Sequence, residues 1–225
     1  MLKQTLTGLQ SVLTLNPRIK GGLMIVAVAL ALFWGIEPAF AHHGMNGAMP
    51  SNFWEGLLSG FMHPIIGLDH FAFVVAIALL SAFHPYGIAI PITFAIAAMG
   101  GTGIHLLTVD IPAVEIIIAA SVLTVGTLLA MKERPNLKLV AAIAAVAGIF
   151  HGYAYGEAII GAETAPLLAY LIGFTAIQIA IAAGAIGLAR KTFTALDRDP
   201  SLSLRFAGFT IGGIGAAFLA SSILG

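Results

Sequence analysis

The sequence predicts an all-α, polytopic membrane protein: a bundle of six transmembrane helices after an N-terminal signal peptide, with signs of a 3+3 inverted repeat. Three observations predict this class. The chain has 225 residues, 59% of them hydrophobic and only 9% charged. Its mean hydropathy is +1.01, so it carries more apolar surface than the interior of a soluble domain of this size can hide. Polar breaks then divide residues 42–225 into six apolar segments, each long enough to cross ~30 Å of hydrocarbon at ~1.5 Å per residue.

The first 41 residues read as a cleaved signal peptide. Lys3, Arg18 and Lys20 make a basic start. "GGLMIVAVALALFWGI" is apolar but short for a span. Pro38 ends it, and Ala39-Phe40-Ala41 has the small-x-small form of a cleavage site, leaving His42 as the new first residue. An uncleaved anchor helix is the alternative. The mature domain, 42–225, is expected to hold helices near 56–82, 86–107, 112–131, 137–160, 165–189 and 203–223. Pro64 and Gly67 make the first of these irregular. Gly152 and Gly156 are expected to weaken the fourth in the same way.

Cations set the orientation. With residue 42 outside, all 10 Lys and Arg fall on the inner side, in the leader, "KERPNLK" and "RKTFTALDRDPSLSLR". The outer side receives Glu37, Glu55, Asp110, Glu115 and Glu163. The expected location is a bacterial plasma membrane, and this orientation sets both mature termini on the outer, periplasmic face. A straight first helix would put His63 about 9–10 Å and Asp69 about 18–20 Å below that face. The outward-running fourth helix would put Glu157 about 5 Å and His151 about 14 Å deep.

The stretch "HPIIGLDH", His63 to His70, therefore sets two imidazoles and a carboxylate among apolar residues, and "FHGYAYGE" brings His151 and Glu157 to overlapping depth. His63 and His70 share a helical stripe, two turns apart. "GFMHPIIGLDH" and "GIFHGYAYGEA" also align without gaps, as Gly60/Gly148, His63/His151 and Asp69/Glu157, and halves of three helices each would be inverted relative to one another. Neutral imidazoles suit Ni²⁺, Co²⁺, Zn²⁺ or Cu²⁺, and carboxylates offset the ion's charge. A purely structural role is a poor return, since an Asp at a helix centre costs roughly 2.5–3.5 kcal/mol to insert. Polar contacts between membrane helices return only ~0.6 kcal/mol on average.

Several classes are excluded or weakened. A net charge of zero gives nucleic acid nothing to hold, and the absence of cysteine removes thiolate metal sites. There is no "GxxxxGK[ST]", "HExxH" or "GxSxG", so an enzyme is not expected. The residues favour an ATP-independent permease for a divalent metal ion, with the lipid bilayer as its other partner and no resident cofactor. An intramembrane enzyme, ligating haem through His63 and His151 or binding metal, and a non-transporting assembly subunit stand as alternatives. Nothing here sets the oligomeric state.

"HPIIGLDHFAFV" resembles the His-x5-Asp-His signature of the HupE/UreJ family of membrane proteins. "FHGYAYGE" resembles the family's second signature, and "IPAVEIIIAASVLTVG" is similar to its third-helix pattern at Pro112, Glu115, Ser121 and Gly126. The resemblance covers essentially the whole mature chain. It implies a nickel or cobalt permease linked to hydrogenase and urease maturation, with metal roles for His63, Asp69, His70, His151 and Glu115. Two positions depart from the pattern. Tyr155 stands where the family carries another His, and Glu157 directly follows Gly156 while Ala158 holds the expected Glu slot. Either Glu157 in a shifted register or Glu163 takes that place.

Outside this set, His42 and His43, beside Met45 and Met49, are candidates for capturing metal at the outer surface, and His105 lies near the outer mouth. A mobile tail is the competing reading for the first two. His84 is expected in a wet inner turn. Gln178 and the Ser121, Thr124, Thr127 series are expected to act as helix-packing glue.

Overall fold

The structure, a computed structural model, describes residues 49–195 and 199–224. The expected signal peptide, its cleavage site and the capture candidates His42 and His43 lie outside those residues. Seven helices and no strand occur among the described residues. They are α1 (Phe53–Ile66), α2 (Leu68–Ser81), α3 (Ala89–Leu106), α4 (Val114–Ala130), α5 (Leu137–Glu157), α6 (Thr164–Ala195) and α7 (Ser201–Leu224).

The first expected segment is thus two helices. Asn52 starts α1 by accepting from the backbone N–H groups of Trp54 and Glu55, both at 3.1 Å. Pro64 is carried inside α1, and the chain breaks at Gly67, where α1 and α2 meet at 75°. Gly67 is needed for room, because a Cβ there would stand 2.6 Å from Cδ2 of the His70 ring. The bend also voids the depths reckoned for His63 and Asp69, which assumed one straight axis. Glycines in the fourth segment act differently from the expectation. Helix α5 runs unbroken through Gly152 to Glu157, and Gly152 serves as a crossing point instead.

Helices α3, α5, α6 and α7 are each long and apolar enough to cross a membrane, and the bent α1–α2 pair passes the same test jointly. Helix α4, with 17 residues, is short for a span. Helix α6 runs 32 residues, to Ala195, past the expected end near 189.

The helices associate chiefly as three pairs, α3 with α5, α4 with α7 and α1 with α6, and α2 touches all six others. Each pair closes where glycine meets backbone. Cβ atoms placed on Gly152, Gly60 and Gly126 would lie 1.9 Å from Ala98 O, 2.3 Å from Tyr170 O and 2.3 Å from Gly212 N. Small residues at crossings are how helices associate where lipid competes with any apolar side chain. Most of α2 is buried, including Phe73, Val74, Ile77 and Ser81.

Polarity is arranged for an apolar solvent. His63, His70, Thr102, His151 and Gln178 are buried, whereas Ile96, Ile172, Leu188 and Phe209 are exposed. Among the described residues, Arg190, Arg205 and Arg134 meet the ends of α2 and α4. Arg190 donates to Ala82 O and, at 2.8 Å, to His84 O, and Arg205 donates to Ala130 O at 3.0 Å. These cations therefore meet the carbonyl ends of α2 and α4, the negative ends of their dipoles. Arg134 lies over the Phe83 ring at 5.3 Å. At that same end Asp199 accepts from Ser201 N at 3.0 Å and Ser201 Oγ at 2.5 Å. Those bonds hold its carboxyl below the usual range.

Candidate functional site

Gly60 and Gly148 do the same job on different helices. Each lets α1 or α5 press against backbone of a partner helix, at Tyr170 O and Phe94 O respectively. One turn later each helix presents a histidine, His63 or His151, and both are buried. On the α5 side the crossing is pinned by Thr102, whose hydroxyl donates to Gly152 O at 2.7 Å. The break at Gly67 supplies the third member, because it starts α2 afresh and turns Asp69 and His70 back toward α1 and α5.

The four residues come together. His70 Nδ1 and His151 Nδ1 are 2.8 Å apart, and the His63 and His70 rings are centred 5.8 Å from each other. Asp69 Oδ1 stands 4.0 Å from His70 Nδ1 and accepts the His70 backbone N–H at 2.8 Å. Asp69 thus sits in the first turn of α2, where the positive end of the helix dipole favours a carboxylate. A regular helix through Gly67 would have had no such end at this point.

Aromatic residues complete the walls. Tyr155 packs between the two α1–α2 histidines, 4.6 Å from His70 and 5.0 Å from His63 between ring centres. Its hydroxyl is buried and has no hydrogen-bond partner among the described residues. Phe73 and Phe94 flank His151 at 4.7 and 5.4 Å. Tyr170 Oη bridges His63 Nδ1 at 3.0 Å and Tyr155 O at 2.8 Å. Ser121 Oγ stands 3.0 Å from His151 Nε2 and 2.7 Å from Ile118 O.

Other candidates lie apart from this cluster. Glu115, in the first turn of α4, and Glu157, the last residue of α5, are both exposed, as is Glu163. The helix break explains why Asp69 and Glu157, matched in the two sequence stretches, differ in place: α1 turns and α5 does not. His105, in the last turn of α3, packs on Tyr153 at 4.4 Å, its Nδ1 buried without a hydrogen bond among the described residues. His84 is exposed in the turn after α2. Thr124 and Thr127 bond back to carbonyls of their own helix, whereas Ser121 joins the cluster. Among the described residues no three His, Asp or Glu side chains form a group able to hold a metal ion. In this arrangement His70 and His151 bond to each other.

Sequence reasoning did not single out Tyr170, Phe73 or Phe94. A signal for Tyr170 existed: a lone phenol in "PLLAYLIGF" has to place its hydroxyl on a partner when buried.

The profile of the family described as HupE / UreJ protein matches residues 27–218. Among curated proteins the chain is similar to "Protein HupE" of Rhizobium leguminosarum bv. viciae, 28% identical over 183 residues, covering 80% of this chain and 90% of that protein. No solved structure gives a significant match.

Proposed function

The chain belongs to the HupE/UreJ family, and from that premise we propose that it is a secondary permease carrying Ni²⁺ or Co²⁺ inward across a bacterial plasma membrane. One observation carries the reading: the buried His63, His70 and His151 lie together with the part-buried Asp69 among helices that expose Ile96, Ile172, Leu188 and Phe209. Buried ionisable groups in such a setting mark a path for ions or protons. The nitrogen-and-carboxylate donor set suits a borderline divalent metal.

A permeating ion must leave its site as well as enter it, and His70 and His151 bond to each other in this arrangement. An arriving ion exchanges the bond between His70 and His151 for one to metal. Two positive charges moving inward gain ~4.6 kcal/mol per 100 mV of inside-negative potential, so no nucleotide is required. Glu115 and Glu157, exposed at helix ends, serve as outer carboxylates in this reading, with His105 and the N-terminal His42 and His43 as capture points. The helix pairing supports an inverted repeat. Taking α1–α2 as one element, a three-element shift exchanges the α1–α6 and α3–α5 pairs and maps the α4–α7 pair onto itself.

Transport is tested in proteoliposomes offered Ni²⁺, Co²⁺, Zn²⁺ and Cu²⁺, with a potassium-diffusion potential and with or without a pH gradient. Ni²⁺ or Co²⁺ uptake should exceed that of empty liposomes at least tenfold and rise with inside-negative potential. Flux no greater than in empty liposomes for every ion would sink the proposal.

Orientation has its own test. The chain has no cysteine, so an introduced one is a unique label. Lys132→Cys should react with impermeant maleimide only in inside-out vesicles, and Glu163→Cys only in intact cells. The opposite pattern would reverse the assigned sides.

A further inference from the structure

Helix α6 carries two buried side-chain oxygens that the fold does not use. Gln178 is 1% exposed. Its Nε2 donates to Phe174 O at 2.8 Å, one turn back on its own helix. Its Oε1 is buried without a hydrogen-bond partner among the described residues, and Thr175 Oγ1 is buried in the same condition. Three residues apart, the two side chains are neighbours on the helix surface. Elsewhere in the bundle such groups are satisfied at home. Thr93, Thr124, Thr127 and Thr210 each donate to the carbonyl four residues back, and the buried Ser81 donates to Ile77 O at 2.8 Å. Thr175 makes no bond of that kind.

Helix-packing glue, the role expected of Gln178, requires a bond from one helix to another, and neither side chain makes one. An apolar residue would pack better, because an orphaned buried carbonyl gives up its hydration for no return. The two oxygens also stand beside the histidine cluster without belonging to it. Gly56 and Gly60 of α1 seat on the carbonyls of Pro166 and Tyr170, so α1 and α6 run side by side in one direction. Tyr170 bonds to His63. Tyr155, which packs on His63 and His70, also meets Phe174 at 5.2 Å between ring centres. Gln178 is one turn beyond Phe174 and reaches the level where α1 gives way to α2. Counted along α6, it lies about 12 Å from Tyr170 and about 18 Å short of Arg190. Over that remaining stretch the buried residues of α6 are Ala182, Ile186 and Ala189, so Gln178 is the last buried polar side chain before the Arg190 end.

We infer that Gln178 Oε1 and Thr175 Oγ1 form a second station on the path, an oxygen-lined site that takes the partly hydrated divalent ion once it has left the histidine cluster. Both oxygens offer lone pairs to the ion or to the protons of its bound water. Neither carries charge, so the station holds the ion weakly enough to release it. This role rests on the permease reading above.

The test is radiolabelled Ni²⁺ flux into proteoliposomes, per folded full-length protein, as a function of Ni²⁺ concentration. Gln178→Met keeps an unbranched side chain of similar length and removes the oxygen. Its maximal flux should fall about tenfold or more, as for loss of a hydrogen bond to a charged partner. The half-saturating Ni²⁺ concentration should not rise, because the cluster that admits the ion is untouched. The thermal midpoint of the metal-free protein should not fall, because an orphaned carbonyl has been removed. Thr175→Val, which keeps the shape and loses the hydroxyl, should lower maximal flux by a smaller factor, and Thr175→Ser should restore it. Unchanged flux in Gln178→Met overturns the station. So does a loss of flux accompanied by a raised half-saturating concentration or a lowered midpoint, which traces the damage to the cluster or to packing. Failure of Thr175→Ser to restore flux removes Thr175 from the site. No flux in the unmodified protein overturns the permease reading and the station together, whereas flux that survives Gln178→Met overturns the station alone.

Discussion

Asp69→Ala should reduce radiolabelled Ni²⁺ and Co²⁺ uptake to the vector background at matched expression, a loss of at least about 100-fold. Asp69 is the carboxylate of the buried cluster, 4.0 Å from His70 Nδ1, at a helix start that the chain creates by breaking at Gly67. An isolated imidazole pair leaves both charges of an incoming ion to be borne by a low-dielectric surrounding. A carboxylate cancels one of them, and at an effective dielectric of ~20 a unit pair 4 Å apart gains ~4 kcal/mol. Loss of that term alone accounts for a factor of several hundred in occupancy. Asp69→Asn separates charge from shape. Its side-chain oxygen still accepts the His70 N–H, so the start of α2 is kept while the charge is lost. Uptake should fall as far as with alanine. Normal uptake by either variant would remove Asp69 from the path.

Gly152→Leu should abolish folded protein, whereas Gly100→Leu should leave it intact. A Cβ on Gly152 would sit 1.9 Å from Ala98 O, inside the α3–α5 crossing, and backbone cannot yield as a side-chain tip can. Gly100 lies on the partner helix α3 with nothing within 4 Å of its Cβ position. Both changes add the same apolar side chain to an apolar helix, so hydropathy and insertion are matched and only the crossing differs. Helix interiors pay about 1 kcal/mol for glycine over alanine, so the second variant has a small gain to set against any loss. Size-exclusion profiles and the thermal midpoint in mild detergent decide the matter. A monodisperse Gly152→Leu protein with unchanged midpoint would show that the crossing is not where α3 and α5 are held. Because His151 directly precedes Gly152, such a change should also displace the imidazole that meets His70.

How much of this was legible in the chain differs by feature. The all-helical class, the helical segments and their approximate limits followed from apolar length and polar breaks, because in lipid a segment has to satisfy its backbone internally. The irregular first segment was legible from Pro64 and Gly67, but the 75° turn was not. The same signal misled at Gly152, because a glycine in a membrane helix serves a break or a close approach, and only the neighbouring helix tells which. The grouping of His63, Asp69, His70 and His151 was anticipated from depth. It holds by a different route, since the depths of His63 and Asp69 were counted along an axis that does not exist. Ser121 read as packing glue because a back-bonding serine looks alike whether or not its oxygen also meets an imidazole. Tyr170 lies 107 residues from His63, and no local pattern links them.

By itself, then, the amino-acid order determined the helical class, the family resemblance and which residue types were out of place in an oily interior. These follow from composition and short-range spacing, which depend on solvent and local geometry alone. Only the tertiary structure decided that α2 stands at the centre, that the two glycine-led crossings aim His63 and His151 inward, and that Asp69 joins them while Glu157 does not. Such choices depend on close contact between helices distant in sequence, where one missing side chain sets the approach and every buried proton must find an acceptor.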